Sequence, residues 1–243
     1  MKVIMNGAAG RMGQEICRLI EKSEGKLTLA AAVDVAGGEG VLTSLDAYDG
    51  EADVVVDFSF HGAVGDVCAY AVRRGLPVVI ATTGHTPEEV AVIEAAAKKI
   101  PVFFSANMSI GIAVLADLAK QTAARFPDAD IEIVESHHNR KLDAPSGTAL
   151  LLANAIKEVR TKARFVLGRS GHGKRDKDDI GIHAIRMGNV VGDHEIIIGT
   201  DTQMITLKHQ AMSRTIFAEG AVAAALFMKD KAPGLYSMKD MVG

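Results

Sequence analysis

The sequence predicts an α/β chain in two parts: a Rossmann-like nucleotide domain built on a parallel sheet, followed by an α+β domain with a mixed sheet. Three observations predict it. Through the first part of the chain, short apolar strands alternate with helical segments, the pattern of repeated βα units covered on both faces. A glycine loop, "GAAGRMG" at 7–13, falls between the first strand and the first helix. In the second half, strand candidates succeed one another through short turns, which favours antiparallel or mixed pairing.

"KVIM" (2–5) reads as a buried strand, and 13–22 as a helix with Ile16, Leu19 and Ile20 on one face. "LTLAAAV" (27–33) and "DVVVDFS" (53–59) are strands, the second apolar throughout, as a strand covered on both faces should be. A helix is expected over 62–74 and a strand, "PVVIATT", over 77–83. The next helix has its start written out: Thr86 as N-cap, Pro87 at the first helical position and Glu89 closing a capping box. "VFFSA" (102–106) ends the series. A long helix over 109–125 follows, then "IEIVESHH", a strand of alternating polarity, and a helix over 146–160. Four strand candidates come next: "ARFVLG" (163–168), "IGIHAIRM" (180–187), "HEIIIGT" (194–200) and, across "TDT", "QMITLKH" (203–209). The last helix, 215–229, is strongly apolar and rich in alanine. The boundary between the parts is placed near 107–109, with no Pro- or Gly-rich tether, so a tight hinge is expected. "RSGHGKRDKDD" (169–179) reads as a mobile, charged loop, either plain solvated surface or a cover for a site.

At 243 residues and 48% hydrophobic, the chain can bury one large core or two smaller ones. A net charge of −3 gives no basic field for nucleic acid. Cys17 and Cys68 sit in apolar helical patterns without CxxC spacing, so reduced, buried thiols are expected and a metal site is not. No apolar run reaches the roughly 18 residues of a membrane span, and no signal peptide is expected at the start.

The glycine loop has the form G-x-x-G-x-x-G. Gly7 permits a tight turn, Gly10 lets backbone approach a pyrophosphate, and Gly13 lets the helix pack on the sheet. The helix start then offers N–H groups and a partial positive charge to phosphate. Asp34 follows the second strand where an acceptor for ribose hydroxyls belongs. Its neighbour is Val35, not a cation, and an Asp here repels a 2′-phosphate. The cofactor is therefore NADH or NADPH, with a mild tilt to NADH.

The second constellation is "ESHHNRKLDAPSGTAL", 135–150. Ser146 is an N-cap, and Gly147 and Thr148 behind it present N–H groups to an anion, with Lys141 a few residues upstream. His137 and His138 end the preceding strand. A histidine beside a cation and an anion pocket can pass a proton to a negatively charged substrate. Adjacent histidines on a strand point apart, so one shared metal ion is not expected. Ser146 lacks the G-x-S-x-G surroundings of a nucleophile.

Together, "NGAAGRMGQEI", "IATTGHT", "SHHNRKLDAPSGTAL" and "IGIHAIRMGNVVGDHEI" resemble the 4-hydroxy-tetrahydrodipicolinate (dihydrodipicolinate) reductase family, in the family's order and across essentially the whole chain. The resemblance implies a cytoplasmic oxidoreductase of lysine and diaminopimelate biosynthesis that reduces a cyclic, dicarboxylated imine with NADH or NADPH. It implies a homotetramer, with residues 1–108 binding the dinucleotide, completed by 215–243, and residues 109–214 serving substrate and assembly. Gly7, Ala8, Ala9, Gly10, Arg11 and Met12 would hold the pyrophosphate and Asp34 the ribose. Ala81, Thr82, Thr83 and Ser105, Ala106, Asn107, Met108 would line the nicotinamide. His137 would carry the proton, Lys141 would be a proton donor or cation at the ring, and His138, Ser146, Gly147 and Thr148 would contact the substrate. Three positions depart from the family: Ala81 replaces a usual Gly, Met108 a common Phe, and Val35 an Arg of some members.

Two other readings share the glycine loop. A dehydrogenase of homoserine or a semialdehyde has no need of the His-His-x-x-Lys string. A nucleotide-sensing regulator would be free to lose His137 and Lys141.

Overall fold

The computed structural model describes all residues, 1–243. In chain order its regular elements are β1 (Lys2–Asn6), α1 (Arg11–Glu21), β2 (Thr28–Val33), β3 (Val41–Leu42), β4 (Val54–Asp57), α2 (Val64–Arg74), β5 (Val78–Ile80), α3 (Pro87–Ala97) and β6 (Pro101–Phe104). There follow α4 (Ile110–Arg125), β7 (Asp130–His137), α5 (Gly147–Lys157), β8 (Arg164–Leu167), β9 (Asp179–Arg186), β10 (Gly192–Gly199), β11 (Met204–Ala211), α6 (Thr215–Phe227), β12 (Gly234–Tyr236) and α7 (Met238–Val242). The chain divides into two compact units, Met1–Ile110 with Thr215–Gly243, and Gly111–Arg214. No helix is long and apolar enough to cross a membrane.

The first unit holds a seven-stranded sheet in the order β12-β6-β5-β4-β1-β2-β3. All its strand pairs are parallel. Every strand therefore ends on one edge, and the order reverses between β1 and β4, where a doubly wound sheet opens a crevice for ligand. Val54, Val55, Val56 and Asp57 of β4 are all buried, which is why that strand is apolar along its whole apolar run. The capping box of α3 is present as the sequence predicts, with the Thr86 side chain accepting from Glu89 N–H. Helix α2 ends at Gly75, whose φ of +65° suits glycine, and Leu76 N–H closes the turn on Ala71 O at 2.9 Å.

Two starts differ from expectation. Helix α1 begins at Arg11, not residue 13, because Gly10 is extended and serves as N-cap. The helix expected from residue 62 opens with a 3₁₀ turn, His61–Ala63, before α2. Strands β3 and β12 went unforeseen, being two and three residues long. Helix α6 packs closely on the segment that follows β6 through Gly220, where an added Cβ would lie 1.6 Å from the Met108 carbonyl oxygen. That close approach accounts for its run of small residues.

The second unit is a five-stranded mixed sheet, β11-β10-β7-β9-β8. Strand β7 is parallel to β9 and antiparallel to β10. Helices α4 and α5 cover one face: Ile112, Leu115, Leu152 and Ile156 pack with Ile131, Ile133, Ile180, Ile182, Ile196 and Ile198. The segment expected to be a mobile loop is tied down at Arg175. Its guanidinium donates to Asp130 Oδ1 (2.6 Å), Ile131 O (3.1 Å) and Asp179 O (2.6 Å).

Candidate active site

In the first unit, the turn after β1 bends back on β2. Gly7 and Ala8 N–H groups both donate to Val33 O, at 2.8 and 3.0 Å. Gly7 has φ +83°, and a Cβ there would sit 2.7 Å from the Phe58 carbonyl. A Cβ on Gly13 would sit 2.1 Å from Gly7 O. Both glycines are therefore fixed by close backbone approach, as the spacing predicts. No side chain caps α1; Gly10 N–H closes on Gly7 O at 3.1 Å and Ala9 N–H on Asp34, so the first-turn N–H groups offered to an anion begin at the exposed Arg11. Met12 is half-buried behind them.

Asp34 follows β2 directly. Its carboxylate accepts from Ala9 N (3.0 Å, Oδ2) and Ala36 N (3.0 Å, Oδ1), one bond per oxygen, which fixes its orientation and leaves further acceptor capacity on each. A cavity of about 710 Å³ opens here, lined among others by Gly7, Gly10, Asp34, Val35, Thr43 and Arg73. Arg73, the cation in this lining, is paired with Asp46. Cradle, helix start and acidic acceptor lie on one cavity of a size fit for a nucleoside, so the residues suit a dinucleotide.

The floor of the cradle is a buried carboxyl that sequence reading missed. Asp57 is fully buried, and its Oδ1 accepts from Asn6 Nδ2 (2.7 Å) and Ser59 Oγ (2.6 Å). Burial pushes this carboxyl above its usual range, against the Ser59 and Asn6 bonds. Asp57 so anchors the Phe58–Ser59 backbone on which Gly7 rests.

The segments after β5 and β6 reach the same sheet edge. Ala81 and Thr82 are buried and Thr83 is exposed. Thr82 Oγ1 lies 2.9 Å from His85 Nε2, and Glu89, also unforeseen here, takes His61 Nδ1 at 2.9 Å. Ser105 Oγ donates to Asn107 O (2.7 Å), and Ala106 is exposed. Met108, expected to line the nicotinamide, is 2% exposed, with its carbonyl packed against Gly220 of α6, so it presents little surface to a ligand.

In the second unit, the site grows from the end of β7. Residues 135 and 137 share the helix-covered face of the strand. His137 Nδ1 lies 2.5 Å from Glu135 Oε2, and Glu135 is fully buried. Arg186 on β9 spans both carboxylate oxygens, at 2.9 and 2.7 Å, and Ser146 N–H adds a 3.0 Å bond. Burial alone would raise the Glu135 carboxyl; the bonds from Arg186, His137 and Ser146 outweigh it and hold it below the usual range. His194 on β10 packs edge-on against His137, with ring centres 5.2 Å apart. Burial, then the neighbouring His137, pushes His194 down to about 4, so it stands neutral at pH 7.

His138 lies just past the strand, its N–H on Val190 O at 2.8 Å, so the alternation of a regular strand no longer governs it. Desolvation, then Arg140 and Arg214, holds its imidazole below the ordinary value. Ser146 caps α5 as expected, accepting from Ala149 N (3.2 Å), but it is 1% exposed and its hydroxyl also meets His194 Nε2 (3.2 Å). Its polar groups are thus spent inside the protein. The Asp143 carboxylate pairs with Lys141 Nζ at 2.8 Å, and the Gly147 N–H, expected bare, lies near enough to add weakly to the pull that holds this carboxyl below its ordinary range. Lys141 and the head of α5 converge, as the sequence predicts, but on a carboxylate of the chain itself. Thr148 is half-buried one residue on.

A parallel sheet with a glycine cradle at its switch point, joined to a mixed-sheet unit bearing histidine, lysine and a helix start, defines the class of two-unit, pyridine-nucleotide-dependent oxidoreductases. Within that class the chain belongs to the dihydrodipicolinate reductase family. The family's N-terminus matches residues 1–108 and its C-terminus residues 111–242. The 4-hydroxy-tetrahydrodipicolinate reductase of Clostridium tetani is 43% identical, over 100% of this chain and 97% of its own length. That of Caldanaerobacter subterraneus is 44% identical, over 100% and 98%. The dipicolinate-bound dihydrodipicolinate reductase from Paenisporosarcina sp. TG-14 superposes with a TM-score of 0.83 at 26% identity, covering 99% of each chain.

Proposed function

We propose that the chain reduces 4-hydroxy-tetrahydrodipicolinate to tetrahydrodipicolinate with NAD(P)H, in the diaminopimelate and lysine pathway. One observation carries the substrate half of this reading: Lys141 Nζ, just ahead of α5, already holds a carboxylate, that of Asp143, at 2.8 Å. Exchanging it for a substrate carboxylate needs no new donor. The grip fixes a dicarboxylated ring by a group remote from the reacting carbon, which supplies orientation.

The net change is loss of water from the hydroxylated ring, then gain of one hydride and one proton. Reduced nicotinamide, when bound, supplies the hydride. The chain's own groups do the rest. Lys141 and the head of α5, with Gly147 and Thr148, hold the carboxylate, and Lys141 offsets the negative charge that hydride addition puts on the ring. His137, whose Nδ1 is committed to Glu135, delivers the proton from Nε2. His138 contacts the second polar edge of the substrate.

In the first unit, Gly7 to Met12 hold the pyrophosphate, Asp34 the ribose, and the segments 81–83 and 105–108 the nicotinamide end. NADH is the preferred donor. Asp34 disfavours a 2′-phosphate, Val35 beside it is 92% exposed and carries no charge, and Arg73 is occupied by Asp46. The reading includes a cytoplasmic homotetramer. Cys17 and Cys68 are unpaired, which suits a reducing compartment. On the sheet face of the second unit opposite α4 and α5, Ile185 and Met204 are exposed at two separate points, apolar positions that another copy would cover.

The test is nicotinamide absorbance on mixing enzyme, NADH or NADPH, and the hydroxylated dicarboxylate, with aspartate semialdehyde as control. Oxidation with the dicarboxylate alone, faster with NADH, is expected. Oxidation with the semialdehyde instead would assign the chain to another dehydrogenase reaction, and oxidation with neither would leave a nucleotide sensor.

A further inference from the structure

We infer that Glu135, clamped by Arg186, is a positioning residue that fixes the tautomer of His137 and aims its Nε2 outward. The inference rests on the reading of His137 as the proton carrier and adds to it the device that makes one ring nitrogen the only one available.

The geometry leaves the carboxylate little choice. Glu135 is 0% exposed, and its two oxygens receive Arg186 Nη1 (2.9 Å) and Nη2 (2.7 Å), Ser146 N–H (3.0 Å) and His137 Nδ1 (2.5 Å). A carboxylate with a guanidinium across both oxygens is an anion and can only accept. Nδ1 must therefore carry the hydrogen. In the neutral ring Nε2 then holds the lone pair, and in the imidazolium it holds the proton that can leave. Proton exchange is confined to that nitrogen.

The ring is held from two further sides. His194 stands edge-on at 5.2 Å and is itself buried, so it limits rotation without adding a charge. Beneath Nε2 lies Gly192, where a Cβ would come to 3.0 Å from that nitrogen. The groups facing His137 are thus Glu135 on its own strand, Arg186 from β9, His194 from β10 and Ser146 from the head of α5. Two cationic or titratable neighbours, Lys141 and His138, stand on the following loop. A simple ion pair tying β7 to β9 would need Arg186 and Glu135 but not the 2.5 Å contact to the histidine.

The experiment uses the full chain, ¹⁵N-labelled at histidine, above pH 8. In the wild type, the two-bond ¹⁵N–¹H pattern of His137 should show the Nδ1–H tautomer. An Nε2–H tautomer there overturns the proposal, and this readout needs no variant to fold. In Glu135→Gln, whose amide can donate to Nδ1, the ring should shift toward Nε2–H. kcat should fall roughly tenfold or more, while the dissociation constant for dipicolinate, measured by calorimetry, stays within about twofold. Equal losses of melting temperature, dipicolinate affinity and kcat, with the tautomer unchanged, would reduce Glu135 to a structural ion pair and overturn the proposal. A shifted tautomer with undiminished kcat would instead remove His137 as proton carrier, and the reading beneath the proposal with it. Gly192→Ala gives a second check: it should lower kcat by crowding Nε2 while leaving the Nδ1–H tautomer in place.

Discussion

Asp143 and Lys141 form a 2.8 Å ion pair just ahead of α5, whose first N–H, at Gly147, adds weakly to the pull on the same carboxylate. Lys141, the first cause, holds the Asp143 carboxyl below its ordinary range. The chain's own acid thus sits where the substrate's acid is expected.

Competition follows from that placement. Asp143→Asn should tighten dipicolinate binding by about twofold to fivefold, the affinity equivalent of losing a partly exposed ion pair worth up to about 1 kcal/mol. Calorimetric titration reads it. Weaker binding would mean that Asp143 orients Lys141 for the substrate instead of competing with it.

Removing either proposed catalytic group should give a different kinetic signature. Lys141→Ala takes away charge in both ground and transition states, so KM should rise and kcat fall, with kcat/KM down by roughly a hundredfold. His137→Gln should lower kcat with dipicolinate affinity nearly unchanged. Steady-state kinetics beside calorimetry separates the two. Near wild-type turnover in both variants contradicts the roles assigned.

Cofactor choice turns on one exposed position. Val35→Arg places a guanidinium beside Asp34 without disturbing packing, since Val35 is 92% exposed. The ratio of kcat/KM for NADPH to that for NADH should rise by about tenfold, equivalent to one charge-assisted contact of roughly 1.4 kcal/mol. An unchanged ratio would show that the 2′-hydroxyl is read elsewhere.

Acid should unfold the second unit through His194. Its folded pKa of about 4 lies below the unfolded value of 6.5, so the unfolded chain binds the extra proton. Stability is therefore full above about pH 6.5 and falls as pH drops towards 4, by about 3 kcal/mol at 1.36 kcal/mol per pKa unit. Melting temperatures across that window should drop in the wild type and run flatter in His194→Gln. Parallel curves would contradict the assignment.

The glycine loop can be tested by stability alone. Gly13→Ala drives a methyl to 2.1 Å from Gly7 O, backbone that cannot step aside. A loss of about 1–3 kcal/mol or more is expected, with NADH affinity falling too. Gly147→Ala, with open space at its Cβ, should leave the melting temperature nearly unchanged.

Local chemistry was legible in the sequence because it acts over a few residues. The Thr86–Pro87–Glu89 start, the Ser146 cap and the Gly7 and Gly13 constraints are each decided by near neighbours. What sequence reading missed depends on strand register. Arg186 meets Glu135 across 51 positions and His194 meets Ser146 across 48, contacts that no spacing rule supplies. Glu135 itself stood in plain view two residues before His137, and the two-residue period of a strand puts both on one face. That signal was available in the strand's alternation, but alternation names no partner for Glu135, and none was assigned. Asp143 was likewise visible, and only the fold of its loop turns it onto Lys141.

The central claim is that a nicotinamide hydride and a solvent-derived proton both end on a dicarboxylated ring. Mass spectrometry of the product made from [4,4-²H₂]NADH in ordinary water tests it most directly. The account predicts tetrahydrodipicolinate carrying one deuteron, with one NAD⁺ formed per ring reduced. Product without deuterium, or no oxidation of NADH or NADPH by this substrate, would contradict it.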